Sequence, residues 1–140
     1  IYNNGRTALN VTKGSVLIII KLEVNMTIEI IQKPWGHEVI LVKREGYVVK
    51  QIVVKPHSRL SLQSHQRRCE YWTCVEGKAV IDIGEERIGL GSPGTAYIPT
   101  TEIHRISTFE EGCTIIEVQF GEPDDNDIFR YEDDYGRVQK

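Results

Sequence analysis

The sequence is poor in cysteine and methionine, has no long apolar run and carries no strong excess of charge. Its three cysteines, Cys69, Cys74 and Cys113, show no Cys-x-x-Cys spacing. A disulfide framework and a zinc ribbon are thereby excluded, and the expected setting is reducing and cytoplasmic. The longest purely apolar run, residues 16–20, is too short to cross a bilayer or to serve as a secretory signal. No membrane partner is expected. With 17 basic and 20 acidic residues the net charge is −3, so nucleic acid is not an expected partner either. A Gly-rich phosphate loop is absent. Before Pro123 no stretch keeps the period of about 3.6 that marks an amphipathic helix.

What is present fits one domain. The 140 residues are 40% hydrophobic and 26% charged, enough for a single core. The charge is uneven: between Glu122 and Asp134 seven acidic residues face one arginine, a net of −6, leaving +3 on the rest. A mildly basic body of this kind suits a small phosphorylated ligand. The first residue is Ile and the one methionine is Met26. Residues 1–25 therefore read either as a leader or as an extension with an authentic strand at 15–24, with the domain proper at 26–140.

From Ile28 the pattern is β. Short runs rich in Val, Ile, Thr, Tyr and Trp stand at 39–42, 47–55, 60–65, 70–75, 78–83, 95–98, 103–108 and 114–120,. Turn signals such as Glu76-Gly77 and Gly91-Ser92-Pro93-Gly94 separate them,. A spacing of about 8–12 residues is the rhythm of an all-β sandwich or barrel. One short helix is expected at 125–131, capped by Asp or Asn.

The chemistry concentrates between Leu60 and Glu70. Gln63 and His65 are two apart, so on a strand they share a face. After a tight turn Glu70 faces the same interior from a neighbouring strand. His104 arrives on a later one, behind Pro99-Thr100-Thr101. Gln63, His65, Glu70 and His104 thus offer an amide oxygen, two imidazoles and a carboxylate. That donor set suits a divalent ion such as zinc, with cobalt, manganese and iron as alternatives.

This spacing resembles that of the cupin superfamily, with Gln63 in place of the first histidine of a His-x-His pair. Further motifs narrow the resemblance: Lys33-Pro34-Trp35-Gly36, the run Tyr47 to Pro56, His65-x-x-Arg68-x-Glu70-x-Trp72, Tyr97-Ile98-Pro99, His104-Arg105, Glu117-Val118-Gln119-x-Gly121, and Asp127-Ile128-x-Arg130 running on to Asp133-Asp134-Tyr135-Gly136-Arg137. Together they resemble the type II mannose-6-phosphate isomerases over Gln32 to Arg137. In that family the domain occurs alone or fused behind a mannose-1-phosphate guanylyltransferase, and the expectation here is the isomerase part by itself. Three positions depart from the family: His57 and Thr101 stand where Gly is usual, and Tyr71 where His is frequent.

The resemblance implies a single-domain double-stranded β-helix (jelly roll), commonly a homodimer. It also implies metal-dependent interconversion of mannose 6-phosphate and fructose 6-phosphate through an enediolate. Such a reaction needs a base, a charge stabiliser and cations for the phosphate. Arg68 is the expected stabiliser. Glu117, alternating with Ile115 and Gln119, is a candidate base, with a structural ion pair as its alternative. Lys50, Arg59 and Arg137 are the phosphate candidates, each with a surface role as the alternative. Trp35 and Trp72 are expected in the core. Two rivals stay open: a non-catalytic cupin that binds a sugar phosphate or regulates a separate guanylyltransferase, and an oxygen-using cupin enzyme, against which Gln63 counts.

Overall fold

A computed structural model describes residues 9–12, 15–18 and 28–138. The strands are β1 (Leu9–Thr12), β2 (Ser15–Ile18), β3 (Glu29–Lys33), β4 (Gly36–Arg44), β5 (Tyr47–Val54), β6 (Leu62–Ser64), β7 (Arg68–Ile83), β8 (Glu86–Gly91), β9 (Thr95–Ile98), β10 (His104–Ser107), β11 (Cys113–Gly121) and β12 (Phe129–Glu132). No helix occurs among the described residues. β1 and β2 form a separate hairpin. β2 covers the start of the strand expected at 15–24; the rest of that strand, and the expected boundary at residue 26, lie outside the described residues.

The other ten strands form one curled sheet folded into two walls. The first wall runs β3-β4-β5-β11, then the first half of β7, then β9. The second runs β12-β6-β10, then the second half of β7, then β8. β7 belongs to both. The sequence suggests two strands separated by a turn at Glu76-Gly77, but the chain continues and only bends there. Gly77 has φ 68° and pairs with Cys113, and a Cβ on it would overlap the Gly112 carbonyl. Only glycine lets one strand change walls at that point.

Alternation aims side chains between the walls. On β5 the inward residues are Val48, Lys50, Ile52 and Val54; on β11 they include Ile115, Glu117 and Gln119. Ile52, Val54, Cys74, Ile81, Ile106 and Ile115 build the apolar core with Trp35 and Trp72, both tryptophans being buried as expected.

The helix expected at 125–131 does not form. Asp124 does cap, but its carboxylate accepts from the Asn126 amide 2.9 Å away in an Asx turn, and Asp127 N–H bonds back to the Asp124 carbonyl,. Phe129–Glu132 then adds to the β6 edge as β12. Two isolated helical turns are marginal, whereas an open sheet edge offers the same backbone groups partners at once.

His57 and Thr101, the two positions where the resemblance leads one to expect glycine, both have positive φ, 51° and 71°. Both residues therefore adopt the left-handed backbone that favours glycine,.

Candidate metal centre and cavity

Glu70 on the first wall faces His65 and His104 on the second. One ligand atom from each lies within 4.8 Å of the others. All three side chains are almost wholly buried. Each imidazole is oriented by its far nitrogen: His65 Nδ1 donates to the Asp127 carbonyl at 2.7 Å, and His104 Nδ1 to the Glu102 carbonyl at 2.8 Å. A backbone carbonyl only accepts, so both rings carry the proton on Nδ1 and turn an Nε2 lone pair inward. Those lone pairs meet the Glu70 oxygens at 3.2 and 3.7 Å. His104 Nε2 is buried without a hydrogen-bond partner among the described residues. Two imidazole lone pairs and a carboxylate converge here, and only Arg68 donates to them from the side, so these residues fit a divalent metal,. Burial is the main force lowering both imidazoles, His65 to about 4, which keeps them neutral and able to ligate,.

Gln63, the fourth expected ligand, lies beside the cluster. Its Nε2 is 3.4 Å from His65 Nε2, and its Oε1 accepts from the Ser61 hydroxyl at 2.6 Å. Arg68 is nearly buried. It donates to Glu70 Oε1 at 3.0 Å and to His65 Nε2 at 3.2 Å.

A second carboxylate adjoins the first. Glu117 Oε1 accepts from Trp72 Nε1 at 3.1 Å, and Glu117 Oε2 from Gln119 Nε2 at 2.9 Å. The same two donors reach Glu70 at 3.2 and 3.3 Å. Two buried carboxylates therefore share one pair of neutral donors, and their proton affinities part. Burial works to raise Glu70, but the charge on His65 and His104 whenever they are protonated, and on Arg68, overcomes it and holds the carboxyl down. Glu117 is raised well above the ordinary range, by burial first and the Glu70 charge next,. Register explains the neighbourhood: Lys50, Glu117 and Trp72 stand directly opposite one another across β5, β11 and β7. Lys50 pairs with Glu38 at 3.5 Å and Asp125 at 3.7 Å. Glu117, Glu38 and Asp125 keep it protonated against the effect of burial.

A cavity of about 200 Å³ opens over these groups, and Lys50, Gln63, Arg68, Glu70, Glu117 and Arg137 all border it. Arg59 lies elsewhere. Its guanidinium forms a fork with Asp134, at 2.6 and 2.7 Å, on the exposed surface.

Sequence reasoning did not single out Asp127 or Arg130. Asp127 is buried. Its carboxylate accepts from the Gln66 and Arg67 amides at 3.0 and 2.9 Å, and its carbonyl holds His65. Arg130 borders the cavity. Both lie in the motif Asp127-Ile128-x-Arg130, but the expected helix hid their direction.

Two curled walls with a His/His/Glu cluster between them define a cupin. Solved structures agree in fold: oxalate decarboxylase from Bacillus subtilis (TM-score 0.68, 20% identity, 80% of this chain and 32% of that one) and the capsular polysaccharide assembling protein CapF from Staphylococcus aureus (TM-score 0.64, 20% identity, 76% and 35%). Residues 21–133 match the family described as mannose-6-phosphate isomerase C-terminal, and the chain belongs to that family. Relatives include the xanthan biosynthesis protein XanB of Xanthomonas campestris pv. campestris (38% identity, 77% of this chain, 24% of the relative) and the alginate biosynthesis protein AlgA of Pseudomonas aeruginosa (38%, 77%, 23%). Mannose-1-phosphate guanylyltransferase ManC of Salmonella typhimurium is 37% identical, with 77% and 23% covered. The chain spans about a quarter of the length of these relatives. Among the described residues no helix is long and apolar enough to cross a membrane.

Proposed function

We propose that the chain is a metal-dependent aldose–ketose isomerase interconverting mannose 6-phosphate and fructose 6-phosphate, serving polysaccharide synthesis. Family membership supports the substrate class. The observation that carries the reaction is the pair Glu70 and Glu117, two buried carboxylates bridged by Trp72 and Gln119 whose proton affinities are pushed apart,. One is suited to stay ionised as a ligand and the other to exchange a proton.

His65, Glu70 and His104, with Gln63 beside them, would hold the ion, zinc being the first choice for this donor set. When bound, the metal would supply Lewis-acid polarisation of the sugar oxygens. Glu117 removes the proton from C2 of the aldose, leaving the electron pair in a C1–C2 enediolate, and returns the proton to C1. A second proton passes from O2 to O1, which balances the isomerisation. Lys50, directly opposite Glu117, stabilises the ionised carboxylate before the proton is taken and after it is returned. Arg68 stabilises the negative charge on the enediolate oxygens. Trp72 and Gln119 keep the Glu117 carboxyl fixed during both transfers.

The test is a coupled assay for fructose 6-phosphate formed from mannose 6-phosphate, with zinc, cobalt or manganese and with a chelated control. Metal-dependent turnover is expected. Folded, metal-loaded protein that binds the sugar phosphate without turnover would overturn the isomerase reading in favour of a binding or regulatory cupin.

A further inference from the structure

The cations bordering the cavity divide by what neutralises them. Lys33 and Lys50 share Glu38, at 3.7 and 3.5 Å. Arg68 is held by Glu70. Arg137 is held by Asp133, which takes its Nε, its Nη2 and its backbone amide. Arg130 has no carboxylate within 4 Å among the described residues, and its Nε is buried without a hydrogen-bond partner. An arginine turned into a cavity with unused donors suits an anionic ligand.

Register fixes where that anion would lie. On β12, Phe129 and Tyr131 face out and are about half exposed, while Arg130 between them faces in. Arg130 is opposite Gln63 on β6, and Gln63 is opposite His104 on β10. Residues opposite one another in a ladder share a face. Arg130, Gln63 and His104 therefore form one row on the inner face. Two strand spacings put the Arg130 and His104 Cα atoms about 10 Å apart. Arg137 borders the same cavity and lies close enough to depress the Arg130 guanidinium after burial has done so. Asp133 and Glu38 also act on Arg130, but more weakly than Arg137, and both are already engaged by other cations.

We infer that Arg130, backed by Arg137, is the phosphate-binding site of this cavity, receiving the phosphate of a ligand whose reacting oxygens lie at the His65–Glu70–His104 cluster. The planar fork of Arg130 donates two N–H groups to two phosphate oxygens, and the dianion relieves the repulsion between the two guanidinium groups. The row geometry selects ligands whose phosphate stands several bonds from the reacting end. A terminal phosphate on a six-carbon sugar meets that requirement, whereas phosphate beside the reacting carbon does not. This inference rests on the reading of the site as one for sugar phosphates. It assigns recognition of the phosphate to a residue separate from the proton-transfer groups.

The test is calorimetric titration of metal-loaded wild type, Arg130→Gln and Arg130→Lys with mannose 6-phosphate, with a non-isomerisable hexitol 6-phosphate and with unphosphorylated mannose. Metal content and thermal midpoint are measured alongside. Arg130→Gln should weaken both phosphate ligands at least about 10-fold. Arg130→Lys, which keeps the charge and loses the fork, should fall between. Metal content and the weak response to mannose should not move. Wild-type affinity for the hexitol phosphate in both variants overturns the inference, and so does a wild type that binds neither phosphate. Turnover of mannose 6-phosphate with no effect of Arg130 on binding would leave the isomerase standing and remove the phosphate site. Arg130-dependent binding of the hexitol phosphate without turnover would do the reverse.

Discussion

The two ends of the barrel are built from the same three strands and differ only in what points inward. At one end β5, β7 and β11 present Ile52 and Val54, Cys74, and Cys113 and Ile115. At the other they present Lys50, then Arg68 and Glu70, then Glu117 and Gln119. Backbone pairing of β11 with β5 is continuous through both ends, and with β7 it shifts register once, between Thr114 and Ile115. The strands supply direction, and the inward side chains decide whether that direction is used for packing or for chemistry. Apolar atoms are stabilised by leaving water, so the first end holds the fold together. Charges lose hydration there unless paired, so the second end is tolerable only because nearly every group has a partner, and the exceptions are informative.

The sharpest way to break this contrast is to alter the polar end alone. Glu117→Gln keeps the shape and the neighbours but removes the proposed proton carrier. Turnover should fall about 10²–10⁴-fold with metal content unchanged. Activity near that of wild type would place the base elsewhere. His104→Ala should next weaken metal binding by at least about 100-fold, read by metal analysis after dialysis, since the loss of a ligand should exceed the loss of its supporting contact. Full retention of metal would remove His104 from the ligand set.

The opposite substitution belongs at the apolar end. Ile115→Ala should cost about 2–5 kcal/mol in urea unfolding while metal stoichiometry stays the same. A loss of metal without loss of stability would contradict the division. The smallest change concerns the turn before His104. Thr101 holds a left-handed φ with a β-branched side chain, so Thr101→Gly should raise stability by about 1 kcal/mol,. A drop would mean that the Thr101 side chain makes contacts that outweigh the strain.

How much of this was legible depends on range. Strands at 95–98, 103–108 and 114–120 emerge from β-rich composition between turn signals, although only 95–98 alternates cleanly and His104–Ser107 are buried on both faces. The His65–Glu70–His104 set emerges from cupin-like spacing: parity pairs Gln63 with His65, and the turns before Glu70 and His104 let those two face the same interior from other strands. β8 and β3 went unseen as strands, since Glu86–Gly91 and Glu29–Lys33 alternate weakly and gain their pairing from neighbours. The segment 125–131 misled for the same reason: Asp124 does cap, yet the strand edge beside it wins.

The sequence by itself determined an all-β chain and a set of metal-type donors, and it placed Glu117 on one face with Ile115 and Gln119 without deciding which way that face turns. These follow from periodicity and parity, which act over a few residues. Only the tertiary structure decided that β7 changes walls at Gly77, that the Asp127 carbonyl orients His65, and that Arg59 turns outward to Asp134 while Arg130 turns inward beside Gln63. Each of those depends on hydrogen bonds between residues tens of positions apart, and no local pattern encodes the register that brings them together.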